Sequence, residues 1–255
     1  MVAPSAIAHV IRIEKRQEGG RPKAVTRRFG PVELPGVTDR ELAAVFALQR
    51  SSKFLFARGV LFVEGEGDEH IFGGICAALG KPALEDLEVV VVEVGGKDQI
   101  RFFREVLEPL GLRVRAMAGL DFLWAGAGKV LGADAELAAS CETLENCSQE
   151  EFEHRHGGRA MTQEAEKRAR REIKSELCRG PLAIERDAIF GKLQGKSIFV
   201  LRQGELEEYV GLGHRSKGEY MKAPSQLRSG GRDVLHKAEF EDLWSELERG
   251  MAATG

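Results

Sequence analysis

With 255 residues, 43% of them hydrophobic and 30% charged, the chain can bury the core of one large domain or two small ones, which excludes disorder as its default state. The 37 Lys and Arg against 40 Asp and Glu leave a formal net charge of −3, which excludes a globally basic nucleic-acid binder and leaves only a local patch for such contacts. Cys76, Cys141, Cys147 and Cys178 form no CxxC pair, and no apolar run reaches the ~20 residues that span a bilayer. "MVAPSAIAHVIRI" lacks the charged start and long apolar run of a secretory leader, so the expected setting is cytoplasmic, with free thiols and no membrane.

In chain order, "HVIRIEKR" predicts a short strand, and "QEGGRPKAVTRRFGPVELPG" a polar loop rich in Gly, Pro and Arg. "TDRELAAVFALQRSSKFLFA" predicts a helix with Thr38 or Asp39 as N-cap. From there the pattern becomes regular: "GVLFVE" over 59–64 is a strand and 68–79 a helix. "LEVVVVEV" over 87–94 is apolar enough for a strand buried on both faces, and "KDQIRFFREVLEPLG" is an amphipathic helix ending at Pro109 and Gly111. "RVRAMAGLDFL" is a third strand. Alternating strands and helices give a parallel three-layer α/β sheet, in which chemistry collects at the carboxyl ends of the strands. Glu64 and Asp121 both fall at such ends.

Residues 124–190 are helical, polar and densely charged. "QEAEKRARREIKSELCR" reads as a solvated face with i,i+4 pairs, or alternatively as a helix turning Arg168, Arg170, Arg171 and Lys174 toward phosphates. Strand character returns at "KSIFVLRQGELEEYVG", so the charged region is expected as a helical insertion within one sheet. "DVLHKAEFEDLWSELERG" closes the chain as a packing helix. "FGKLQGKSIFV" is not a phosphate loop: its first glycine is misplaced and it runs into a strand instead of opening a helix. "EGEGDEH" lacks the third glycine and downstream acid of a dinucleotide fingerprint. His154 and His156 have no partner pair nearby and read as loop residues.

The acids Glu64, Glu66, Asp68 and Glu69 crowd one strand tip around Gly65 and Gly67. In one reading Glu64 and Asp68, brought together by a glycine turn, hold a hard divalent cation that wants oxygen ligands, with Asp121 approaching from the neighbouring strand. In the other, Asp68 and Glu69 merely complement a helix N-terminus and Glu64 is an ordinary strand-end residue.

An apolar strand ending "VEGxxDE", followed by helix, strand, helix and a third strand with a "DxD"-like end, resembles a Toprim domain. "KFLFARGVLFVEGEGDEH", "VVVVEVGGKDQIRFF", "AMAGLDFL", the helical insertion and "FVLRQGELEEY" resemble the nucleases of the overcoming-lysogenization-defect (OLD) family, in detail its second class, over roughly residues 45–130 and 196–222. The resemblance implies a Toprim core over 56–123, a helical insertion over 124–195, and completion of the sheet with a C-terminal helix over 196–255. Residues 1–55 would be the end of an ATPase part missing from this chain.

It further implies a DNA endonuclease or nickase in which two Mg²⁺ or Mn²⁺ ions, roughly 4 Å apart, clamp the scissile phosphate. Glu64 and Asp68 match the family's glutamate motif, and Asp121 the second acid of its Asp-x-Asp motif. Glu205 and Glu207 match a later acidic pair, and either Lys217 or Lys222 matches the lysine that stabilises charge on the phosphate. The first acid of Asp-x-Asp is absent, since position 119 holds Gly119; the missing carboxylate would be borrowed, from Glu66 or Glu93, or simply lost. The outcome would be a weaker but active enzyme, a one-metal site, or a catalytically impaired nucleic-acid-binding module of an ATPase-nuclease. Primer synthesis would need a nucleotide site the sequence does not offer.

Overall fold

The computed structural model describes residues 11–18, 21–28, 57–97, 99–108, 111–131, 134–212 and 217–252; the helix expected over 38–57 lies outside these residues except at Ala57. The first element is an antiparallel hairpin of β1 (Ile11–Glu18) and β2 (Arg21–Arg28), paired from Ile11 opposite Arg28 to Glu18 opposite Arg21. The second strand stands where a polar loop was expected. "RPKAVTRR" satisfies its backbone against β1, and its proline, Pro22, sits next to the strand end, where a missing donor costs least.

The main sheet is built from β3 (Gly59–Val63), β4 (Val89–Glu93), β5 (Arg113–Ala118) and β6 (Ile198–Val200), in the order β4-β3-β5-β6 with every pairing parallel. Every residue of β3 is buried. Its side chains alternate: Val60 and Phe62 enter one core, Leu61 and Val63 the other. On the first face Phe62 meets Phe103 edge-on at 5.5 Å, within α2 (Gln99–Leu107). On the second, Phe72 of α1 (Glu66–Ala78) lies 5.4 Å from Phe240 and 6.5 Å from Trp244, both on α9 (Lys237–Ala252).

Between β5 and β6 come α3 (Phe122–Ala125), α4 (Ala127–Leu131), α5 (Ala135–His156), α6 (Gln163–Arg179) and α7 (Ala183–Gly195). Asp134 caps α5 by accepting from Leu137 N at 3.1 Å, and Thr162 caps α6 by accepting from Ala165 N at 3.3 Å. On α6 the solvated-face reading holds for most of the charges. Arg168 pairs with Glu172, Arg170 with Glu166 and Lys174 with Glu145, while Ala169 and Ile173 face inward. The segment 191–197 runs from helix into β6, the reverse of a phosphate loop.

The strand expected over 196–211 is only Ile198–Val200. A turn and a 3-10 helix, Leu206–Val210, take up the rest, so Glu205 and Glu207 stand beyond the strand and not on it. The third strand likewise ends at Ala118, and Asp121 lies in the turn that opens α3. Among the described residues no helix is long and apolar enough to cross a membrane.

Helix α1 packs on α8 (Lys217–Arg228) by direct backbone approach: a Cβ added at Gly74 would lie 2.8 Å from Pro224 Cα, whereas one added at Gly73 would meet nothing within 4 Å. The two adjacent glycines therefore predict opposite signs. Gly74→Ala should destabilise by about 1–3 kcal/mol through overpacking. Gly73→Ala should stabilise by about 0.5–1 kcal/mol through helix propensity. Urea denaturation of the two variants checks both.

Candidate metal centre

Because the four strands are parallel, their carboxyl ends lie on one edge of the sheet, and a cavity of about 570 Å³ opens there. Glu64, Asp68, Glu93, Asp121, Glu205 and Glu207 all line it, with Arg171 and Tyr220. The five carboxylates singled out from the sequence thus share one cavity, although Glu205 is separated from Glu64 by more than half of the chain.

Glu64 is the first residue past β3. Its Oε1 accepts from Gly119 N at 3.0 Å, which ties the end of β3 to the end of β5. Asp68 sits in the first turn of α1 and accepts from Gly65 N at 2.9 Å, so that one acid both caps the helix and faces the cavity. Asp121 Oδ2 pairs with the Lys97 ammonium, while Asp121 Oδ1 is buried and accepts no hydrogen bond. Lys97 follows Gly95 and Gly96, whose φ values of 77° and 124° belong to glycine and turn the chain sharply after β4.

Crowding of like charges out of water shows in the carboxyl groups. Burial, then the charge of Asp121, pushes Glu64 up from an ordinary 4.5 to about 7, against the pull of Gly119 N–H and Lys97. Burial, then Glu207, pushes Asp68 from 3.8 to about 6. Burial, then Asp121 and Glu64, pushes Glu205 from 4.5 to about 8, with Arg171 opposing.

The remaining expectations divide. Glu66 is exposed and Glu69 half-buried, and neither lines the cavity. Lys222 is exposed and outside the lining; the expectation for Lys217 concerns a side chain outside the described residues, although its backbone opens α8. Two cations were not among the site residues expected from sequence. Lys97 was visible only as part of "GGK", and Arg171 only as one of several arginines on a charged helix; nothing local distinguishes it from Arg168 or Arg170.

The donor chemistry fits a hard divalent cation: carboxylate oxygens predominate, three carboxyls resist ionising alone, and a buried Asp121 oxygen lacks a partner. Among the described residues, however, no three His, Cys, Asp or Glu side chains already converge as an ion would require. The donors ring the cavity instead of closing on a point.

Residues 55–121 match the family described as overcoming lysogenization defect protein-like, TOPRIM domain. Over that stretch the chain is similar to an OLD-like TOPRIM domain. It is 25% identical over 124 residues to the Old nuclease of Escherichia phage P2, covering 48% of this chain and 21% of that protein. The chain therefore spans about a fifth of that relative's length. Among solved structures it is similar to the C-terminal region of the Burkholderia pseudomallei OLD protein, with a TM-score of 0.29 and 16% identity over 69% of this chain and 98% of that one. The C-terminal region of the Xanthomonas campestris pv. campestris OLD protein gives a TM-score of 0.27 and 18% identity, over 70% and 95%.

A carboxyl whose value is raised by folding keeps its proton longer in the folded chain than in the unfolded one. Stability from this source is full below the ordinary values of 3.8 to 4.5 and is lost as pH climbs through about 6 to 8. In chelator, the chain should melt at a lower temperature at pH 8 than at pH 4.5. Glu205→Gln should raise stability at the upper pH by about 1–3 kcal/mol and flatten the profile. Thermal melts across the pH range check this.

Proposed function

We propose that this chain is the nuclease region of an OLD-type protein of the second class, a Mg²⁺- or Mn²⁺-dependent DNA endonuclease or nickase. In this reading residues 56–123 are the Toprim core, 124–195 a helical insertion and 196–255 the completion of the fold, with an ATPase part as partner. The convergence of Glu64, Asp68, Asp121, Glu205 and Glu207 on one cavity, from three separate segments of the chain, is the observation that carries it.

These five carboxylates would hold the metal, two ions per site by the family pattern. Bound divalent cations supply Lewis-acid stabilisation of the phosphate and a water of lowered pKa. The chain's own part is orientation. Gly119 N–H fixes Glu64, Gly65 N–H fixes Asp68, and Lys97 holds Asp121 in place. Arg171 brings a positive charge to the cavity wall, where a phosphodiester oxygen can meet it. Lys222 stands exposed outside the cavity, so the phosphate lysine is assigned to Lys217, at the start of the helix whose Tyr220 lines the wall. Contacts of this kind carry no base information, so sequence preference is weak.

A second reading, a binding module without chemistry, draws on Gly119, which brings no carboxylate, and on the donors standing apart around the cavity. Plasmid relaxation separates the two. The nuclease nicks supercoiled DNA with Mg²⁺ or Mn²⁺ and not in chelator; the binding module shifts the plasmid in a gel and leaves it closed. Groups that only orient a metal's ligands are worth about 10- to 100-fold, so losing a ligand itself, in Glu64→Ala or Asp68→Ala, should cost at least about a hundredfold in rate. Lys217→Ala should slow nicking while Lys222→Ala leaves it unchanged.

A further inference from the structure

We propose that Glu205 occupies the place in the cavity that a side chain at position 119 would fill, so that the two positions provide one carboxylate between them and cannot provide two. The inference rests on the cation reading of the cavity given above. A Cβ built on Gly119 would lie 2.1 Å from Glu205 Oε2, 2.5 Å from its Cδ and 2.8 Å from its Oε1. No side chain fits there while Glu205 keeps its position.

The loop carrying Glu205 is pinned beside Gly119 by its own backbone. Leu120 N donates to Gly204 O at 2.9 Å, and Gly204 adopts φ 131°, which lets the chain turn back toward the end of β5. Sheet order explains why this acid and not another takes the place. β6 neighbours β5, so the residues that follow β6 emerge beside Gly119. Glu93 ends β4, which lies on the far side of β3, and Glu66 is exposed outside the cavity. The atoms in the way are the far end of a flexible side chain. A methyl group at 119 would therefore swing the Glu205 carboxylate out of position without breaking the backbone, and Glu205 is a ligand positioned by the absence of a side chain at 119.

The test measures Mn²⁺ affinity of the full chain by electron paramagnetic resonance, with no substrate and no turnover. Gly119→Ala and Glu205→Ala should each weaken binding by about tenfold or more. Combined, they should be no worse than either alone, because both remove the same carboxylate. Gly119→Asp alone should not tighten binding, while Gly119→Asp with Glu205→Gly should return it to the level of the natural chain.

Unchanged affinity in Gly119→Ala, additive losses of about a hundredfold in the double variant, or a swap that stays weak would each overturn the pairing. A natural chain that binds no Mn²⁺ overturns the cation reading itself, and the inference with it. Should Gly119→Ala fail to fold, recovery of its melting transition on adding Glu205→Ala supports the steric pairing, and failure of both variants to fold overturns it.

Discussion

A strand buried on both faces has no room for a charge along its length, and the architecture follows from that constraint. From Val60 to Val63 every side chain of β3 enters one of two cores, so the first charge the strand can carry comes at its end, at Glu64. The neighbours place their acids in the same way, though less strictly: β4 has no acid before Glu93, and β5, which holds Arg113 and Arg115 at half-buried positions in its first half, has none before Asp121. Parallel pairing aligns those ends, and the cavity forms where the acids collect.

The concentration of acids there is electrostatically unfavourable in the chain alone. Glu64, Asp68 and Glu205 all have carboxyls pushed upward by burial first and then by a neighbouring acid, Asp121 for Glu64 and Glu205 and Glu207 for Asp68; against them stand Arg171 on the cavity wall and Lys97, paired with Asp121. Such a cluster is under tension that a multivalent cation relieves more fully than an ammonium does, since it brings two charges and accepts several oxygens at once. The glycines at the rim serve the same end in another way. Gly65 and Gly119 offer backbone N–H groups to carboxylate oxygens, orienting each acid without adding a competing charge.

The parts legible in the sequence were those governed by local pattern. The apolar runs of β3, β4 and β5 announced a parallel sheet, and the tight spacing of Glu64 and Asp68 announced a turn from strand to helix. What stayed hidden depended on distance in the chain or on ambiguous local cues. "KSIFVLRQGELEEYVG" reads as one strand, because apolar and polar residues alternate well past the point where Gly204 turns the backbone away. The second hairpin strand was obscured by its arginines and proline, which suggest a loop until a partner strand is in place. Lys97 meets Asp121 across 24 residues, and Arg171 reaches the cavity from a helix whose other charges pair within it or with α5; neither relation leaves a trace in nearby sequence. The resemblance pointed to an acid missing at 119, yet only the folded arrangement shows how tightly Glu205 is set against that position.

The contact between Gly74 and Pro224 has a mechanical side. Where side chains interdigitate, helices can slide a little by changing rotamers; where one backbone rests on another, that freedom is gone. Helices α1 and α8 therefore behave as a single lever. Asp68 lies six residues before the fulcrum, about 9 Å along the helix axis, and Tyr220 rides on the other arm. A push on α8 at the surface is delivered to the carboxylate at the cavity, and this wall of the cavity shifts as one piece.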